Sequence, residues 1–497
     1  MCPKTKAAPF ARIVRTGARC LLYALISFSL SCSSNIPLVR DQRATAPSPG
    51  MAWKAPAAAA AKSSASSEPL VPWSTVQEKA KALTLADLVD VALQNSPDTR
   101  IAWLNARAAA AGYGAALSTW WPSLDLNGST TRSGETKSAG AKSASTLYGA
   151  SANLSYLLFD FGGRAAAVSE AHQALYAANW SNNAVIQNVV LGVQVAYYNY
   201  AGAVAMLGAN RISLSDAEAN LKAAQEKHNV GLATQADVLQ AQTAHAEGLL
   251  SLQNSEGMVR IARGGLILAM GYPATRHADF ATEIAEVPPD TLLQGVDQLV
   301  SLALNSRPDL LASRARALMA AASARQARSA LLPTLTAQGS AGRIWLHRAD
   351  GYADDYTGIV SLQMPLFHGF AKQSSYVAAK AEADAAKEQA RNQELDVIYQ
   401  VYSAHSDLKT AVTRVKTTNT LVNSAEQSEQ VAHGRYKEGI GSILDLLSAQ
   451  RSLALARAEQ IQARVGWHMA LAQLAHDMGI LGLHGDNPVS PGASQQR

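Results

Sequence analysis

The chain is written twice, and this duplication constrains its fold more than any other feature. Leu88-Val89-Asp90-Val91-Ala92-Leu93 with Pro97-Asp98 returns 211 residues later as Leu299-Val300-Ser301-Leu302-Ala303-Leu304 with Pro308-Asp309. Trp121-Pro122-Ser123-Leu124 returns as Leu332-Pro333-Thr334-Leu335 at the same offset. Leu158-Phe159-Asp160 and Leu366-Phe367-His368 lie 208 apart. Gly231-Leu232 with Asp237-Val238-Leu239-Gln240-Ala241-Gln242 returns, again after 208, as Gly439-Ile440 with Asp445-Leu446-Leu447-Ser448-Ala449-Gln450. The offset changes by three between Pro122 and Phe159, so the length difference lies in that segment.

Within each copy the hydrophobic period switches. After Pro122, Leu124, Leu126, Gly128 and Thr130 alternate with Ser123, Asp125, Asn127 and Ser129. Before Phe159, Tyr148, Ala150, Ala152, Leu154 and Tyr156 alternate with Gly149, Ser151, Asn153 and Ser155. A two-residue period with one apolar and one polar face predicts strands at about 122–132 and 146–158, joined by a Gly/Ser/Ala/Lys loop from Ser133 to Ser145. The second copy predicts strands at about 333–345 and 356–366 around a polar loop from His347 to Asp355. Strands of about ten residues have the length a tilted strand needs to cross a bilayer, although a soluble hairpin has the same pattern.

Of 18 prolines, none lies between Arg164 and Tyr272 or between Leu366 and Asn487. Ala, Gln, Glu, Lys and Leu fill both stretches at helical spacing, which predicts helical hairpins at 164–271 and 370–480, turned at Gly231 and at Gly439–Gly441. A first arm of roughly 65 residues is about 100 Å of helix, which propensity alone does not stabilise, so it must pack laterally. Small residues such as Ala165 to Ala167 and Ala378-Ala379 permit close helix approach.

Lys4, Lys6, Arg12, Arg15 and Arg19 precede an apolar stretch from Leu21 to Leu30 and then Ser31-Cys32, which marks residues 1–31 as a secretory signal too short to span a bilayer. The formal charge of +5 comes from 43 basic and 38 acidic residues, and the signal holds five basic and no acidic ones. The remainder is neutral, so a pI near 9.0 is no argument for nucleic acid. Residues 32–82, rich in Ala, Ser and Pro, read as a tether, and 484–497 as a disordered tail. Polar residues interrupt every later apolar run, so no transmembrane helix is expected and a membrane crossing must be a closed barrel. Three cysteines without a CxxC or Cys/His cluster exclude a disulfide framework and a metal centre. HExxH, GxSxG, Walker and GxGxxG motifs are all missing and the eleven histidines are scattered, so neither an enzyme nor a cofactor is expected. Four strands cannot close a membrane barrel, whose smallest single-chain examples have about eight; two copies would supply eight and three would supply twelve.

The signal's end on Cys32 resembles that of bacterial lipoproteins, in which this cysteine becomes the lipidated first residue. Leu30 stands two residues before it, where that family has leucine three before, and ordinary signal cleavage would leave Cys32 a bystander. Ser33, where inner-membrane lipoproteins of that family tend to have Asp, implies the outer membrane.

From Leu83 to Leu483, in repeats at 83–283 and 291–483, the chain resembles the TolC-like outer-membrane efflux proteins, specifically the NodT-like lipoprotein branch serving resistance-nodulation-division pumps. The carrying motifs are Leu83-Thr84-Leu85-Ala86-Asp87-Leu88 with Asn95-Ser96-Pro97-Asp98, the hairpin exits Leu158 to Arg164 and Pro365-Leu366-Phe367, and the turns Val230-Gly231-Leu232 and Tyr436-Lys437-Glu438-Gly439-Ile440. The resemblance implies a mainly α chain with a membrane β-barrel, made of duplicated units of helix, strand hairpin and long helical hairpin. Three such chains would form a homotrimeric twelve-stranded barrel in outer-membrane lipid, continued by a periplasmic α-helical barrel. The implied partners are a periplasmic adaptor and an inner-membrane pump, with small molecules such as drugs passing through. Gly231, Leu232 and Ala233 of the first tip and Gly439, Ile440 and Gly441 of the second would meet the adaptor. Asp445 would form a carboxylate ring at the constriction, weakened because Ser448 replaces a second acid. Asp237 and Tyr436 match partners that tie the tips of closed members together, while Gly441 stands where those members have an arginine. Helix N-capping is the competing role for both Asp237 and Asp445. The alternatives are a type I protein-secretion duct and a pore-less lipid-anchored periplasmic coiled coil.

Overall fold

A computed structural model describes residues 46, 48–52, 71–136, 142–282, 284, 285, 295–346 and 351–481. The signal, Cys32, much of the tether and the tail lie outside them. In order, the chain forms helices α1 (Trp73–Lys79), α2 (Leu85–Asn95) and α3 (Pro97–Leu117), strands β1 (Ser123–Thr136) and β2 (Lys142–Phe159), and helices α4 (Gly163–Asn229) and α5 (Gln235–Ala269). The second copy supplies α6 (Val296–Ser306), α7 (Pro308–Ser329), β3 (Thr334–Leu346), β4 (Tyr352–Gln363), α8 (Ala371–Lys437) and α9 (Ile443–Asp477). The duplication is metrical. α4 and α8 each have 67 residues, and α5 and α9 each have 35.

The described residues divide into two compact units, one holding 107–175 and 322–377 and the other 46–106, 176–321 and 378–481. The first contains one antiparallel sheet in the order β1-β2-β3-β4. Ladder partners share a face. One face therefore carries Leu124, Leu126, Leu154, Tyr156, Leu335, Val360 and Leu362, and the other Asp125, Asn127, Ser151, Asn153, Gln338, Thr357 and Ser361. Tyr148, Trp345 and Tyr352 form an aromatic row across the apolar face. Arg343 on that face makes two hydrogen bonds to Asp354, at 2.6 and 2.9 Å, and stacks 4.0 Å from the Tyr352 ring centroid.

The strands run from 12 to 18 residues rather than ten. The expected loop Ser133 to Ser145 is mostly ladder, with Ser133 opposite Ser145 and Gly134 opposite Ala144. β4 begins at Tyr352, inside the expected loop, and stops at Gln363, short of Pro365, which has no N–H to donate. A Gly- and Ser-rich composition looks like a loop, but a neighbouring strand's hydrogen bonds override weak propensity. At the exit of β2, Arg164 is buried, donates to the carbonyls of Leu158 (3.1 Å) and Thr119 (3.4 Å), and covers the Trp120 ring at 4.5 Å.

In the second unit the two repeats build the same core twice. Leu88, Ala92, Val193 and Leu266 are buried together, and so are their repeat-mates Leu299, Ala303, Val401 and Leu474. The expected tether is shorter than read: residues 73–79 are helical, and Val76 and Ala80 are buried in the first core. Trp103 donates to the Ala46 carbonyl at 2.7 Å. One 18-residue window of α4 is apolar enough, by length and composition, to cross a bilayer, against the expectation of none. Val190, Val193, Tyr197 and Ala201 of this helix are buried in the interior of the unit.

The repeats meet where His468 of α9 stacks on Tyr198 of α4, with ring centroids 4.7 Å apart, and donates to the Ala285 carbonyl at 3.1 Å. Burial pushes the imidazole pKa down, and the hydrogen bond partly reverses this. The unfolded chain takes up this proton near pH 6.5 and the folded chain only at lower pH, so the stability is complete above about 6.5 and is lost as the pH falls. The melting temperature should drop as the pH falls below about 6.5, and His468→Phe, which keeps the stack, should make that drop shallower. An unaltered slope in thermal melts would exclude His468 as its source.

Candidate channel gate at the hairpin tips

Each long hairpin turns by the same backbone device. α4 ends with Gly231 at φ 75°, its N–H bonded to the His228 carbonyl (2.9 Å) and that of Leu232 to Lys227 (2.8 Å). α8 ends with Gly439 at φ 75°, bonded to Tyr436 (3.2 Å), and Ile440 to Arg435 (3.0 Å). Both are Schellman closures, which need a left-handed residue that glycine adopts without Cβ strain. Val230, Leu232, Ile440 and Leu444 are exposed, Leu232 at 78%, so each tip ends in an apolar knob. Ala233 is half-buried, and its carbonyl lies 3.0 Å from His228 Nδ1.

The repeat-mates Asp237 and Asp445 have diverged. Thr234 caps α5, and the Asp237 carboxylate accepts from the Thr234 N–H and hydroxyl, both at 2.8 Å, completing a capping box. Ser442 caps α9 by accepting from the Asp445 N–H at 3.1 Å. The Asp445 carboxylate is exposed and accepts no hydrogen bond among the described residues, one turn from the equally exposed Ser448. Local capping therefore occupies Asp237 and leaves Asp445 free.

Between the tips, Tyr436 and Ile443 are buried with Ala224, Ala241 and Leu446. The Tyr436 hydroxyl has no hydrogen-bond partner among the described residues. Burial first, and then the negative charge of Asp237, push its pKa up. The two residues matched by resemblance are thus neighbours in charge but share no hydrogen bond. The tie comes instead from Lys227, whose ammonium donates to the Tyr436 carbonyl at 2.6 Å and lies 3.8 Å from the Tyr436 ring centroid. Asn220 to Gln450 at 2.6 Å and Arg451 to Glu247 at 2.9 Å join the hairpins further along. A Cβ added at Gly441 would stand 3.0 Å from the Arg435 Cβ, a tight contact. Lys227 was not singled out in the sequence because a lysine in a last helical turn ordinarily just complements the helix dipole. Among the described residues, no group of His, Cys, Asp and Glu could hold a metal ion.

Lys227→Met keeps the alkyl stem and removes the charged donor, a loss of about 1.5–3 kcal/mol for such a bond. Single-channel recordings should show longer or larger openings for Lys227→Met and wild-type behaviour for Tyr436→Phe, which removes only an unpartnered hydroxyl. Reversal of that order would return the tie to the Tyr436 hydroxyl.

A family model described as outer membrane efflux protein matches residues 88–272 and 299–479. Protein CyaE of Bordetella pertussis is 27% identical over 500 residues, covering 96% of this chain and 98% of that protein. The antibiotic efflux pump outer membrane protein ArpC of Pseudomonas putida is 25% identical over 407 residues, 80% of this chain and 81% of ArpC. The solved structure of the outer membrane protein VceC from Vibrio cholerae superposes with a TM-score of 0.69 at 22% identity, covering 80% of this chain and 96% of VceC, a likeness of fold. With both repeats matched in order over more than half its length, the chain belongs to the outer membrane efflux protein family, whose members are passive channels and not enzymes.

Proposed function

We propose that three copies of this chain close into an outer-membrane efflux channel, a twelve-stranded barrel continued by a periplasmic helical barrel. An inner-membrane pump and a periplasmic adaptor deliver small molecules to it. The observation that carries this reading is the sheet's two bare edges. Among the described residues, β1 and β4 each pair on one side only, in a sheet with one apolar and one polar face. In hydrocarbon each unsatisfied N–H or C=O costs several kcal/mol, so such edges exist there only when closed by further strands. Three chains of four strands supply twelve.

The helices support the same reading. Within the chain, α4 lies against α9, with Tyr198 on His468 and Val465 against Gly202. One repeat on, the corresponding positions are Ser406 and Thr410 of α8 and Gly257 and Arg260 of α5. Tyr399 (70% exposed), Tyr402, Met258 and Ile261 (78%) stand open on or beside them in a single chain. A second copy would cover them. The apolar tip knobs suit a protein partner, so Gly231, Leu232, Ala233, Gly439, Ile440 and Gly441 meet the adaptor in this reading, and Cys32 carries the lipid anchor. Three Asp445 carboxylates around a narrow pore favour cations while ionised.

In detergent the protein should have the mass of three chains, and in a planar bilayer it should conduct in discrete steps; a monomer without conductance overturns the reading. Asp445→Asn should lower the K⁺/Cl⁻ permeability ratio, and an unchanged ratio removes Asp445 from the constriction. Cys32→Ser should abolish incorporation of labelled palmitate.

A further inference from the structure

The two hairpins of the sheet share one register. In the first, Ser123 pairs with Ser155 and Ser133 with Ser145. Advancing the β1 residues by 211 and the β2 residues by 208, the offsets of the duplication, gives Thr334 opposite Gln363 and Ile344 opposite Ala353. Those are the partners found in the second hairpin. Duplication has therefore preserved strand pairing to the residue.

That rule can be applied to the joint between hairpins. β2 and β3 pair Ser151 with Gly342, Asn153 with Ser340 and Ser155 with Gln338. In a ring of repeated hairpins, the joint from β4 to β1 of the next copy is this joint one repeat on. Its register follows by advancing β2 by 208 and moving β3 back by 211. We infer that β4 pairs antiparallel with β1 of a second copy of this chain, Ile359 opposite Thr131 of the partner subunit, Ser361 opposite Ser129 of the partner subunit and Gln363 opposite Asn127 of the partner subunit. The inference rests on the trimeric-channel reading and adds to it a pairing at residue resolution.

Residue chemistry, which took no part in deriving the register, agrees with it. The polar face of the joint sets Ser361 against Ser129 of the partner subunit and Gln363 against Asn127 of the partner subunit. The apolar face sets Val360 against Thr130 of the partner subunit and Leu362 against Gly128 of the partner subunit. A one-residue slip would turn every β4 side chain to the wrong face. A two-residue slip would keep the faces but give this joint a different stagger from its repeat, whereas the stagger of a barrel is tied to its strand number and tilt. The bulky residues also find room. Arg343 lies opposite the small Ala150 inside the chain, and its repeat-mate, Arg132 of the partner subunit, comes opposite Gly358.

Disulfide trapping in the full-length protein tests the register. Directly opposed strand residues lie about 4.5–5.5 Å apart, inside the range a disulfide bridges, and diagonal neighbours at about 7–8 Å lie outside it. Under mild oxidation, Ser361→Cys with Ser129→Cys should give a covalent three-chain species that thiol reductant reverses. Ser361→Cys with Thr131→Cys, and Ser361→Cys with Asn127→Cys, should give none above the wild-type blank. The repeat-equivalent pair Asn153→Cys with Ser340→Cys, opposed within one chain, is the positive control. Native mass measured before oxidation separates the two levels of failure. A monomer removes the channel reading itself. A trimer in which the control closes but Ser361→Cys with Ser129→Cys does not, or in which a slipped pair links better, overturns the register and leaves the trimer standing.

Discussion

The backbone of an edge strand must bond to something, and in a bilayer nothing but another strand is available. Nearly everything in this protein depends on that. Four strands leave two edges, at β1 and β4, and among the described residues no second sheet covers them. In the proposed barrel, the division of the sheet into an apolar and a polar face would give each edge a fixed side toward lipid and a fixed side toward a lumen. One physical demand thus links the strand count, the proposed trimer, and the exposed apolar residues on α5 and α8.

Duplication turns this demand into a geometry. Repeats that keep register within the hairpin, the paired Schellman turns and the paired helical cores make each internal contact a template for one in the proposed trimer. Divergence between repeats then marks where roles differ. Thr234 with Asp237 forms a closed capping box, whereas Ser442 with Asp445 leaves a carboxylate unused. At the candidate gate, a lysine supplies the charged tie. The donor is on the first tip and the acceptor is a backbone carbonyl of the second, so the tie constrains α8 without requiring any particular side-chain hydroxyl there.

Much of the fold was legible because it is periodic. The change from a two-residue to a helical period, the proline-free stretches and the four ordered motif matches located both strand hairpins and both helical hairpins. Their ends were harder to place. Ser133, Gly134 and Tyr352 belong to strands through bonds from neighbours, which local composition does not record. The helix at Trp73–Lys79 was hidden in an Ala- and Pro-rich segment because burial of Val76 and Ala80 against distant residues stabilises it. In the candidate gate, Gly231, Gly439 and Asp445 could be picked out because turns and caps are local. Lys227 could not, since its partner lies 209 residues away.

The sequence by itself determined the duplication, the amphipathic strands, the long paired helices and the turns between them, because each follows from residues within a few turns or a few strand positions of one another. Tertiary structure alone decided that Tyr436 is held through its carbonyl and ring while its hydroxyl goes unbonded, and how β2 registers against β3. These depend on distances between residues roughly 200 positions apart, set by packing and hydrogen-bond competition, and a sequence pattern carries no measure of either.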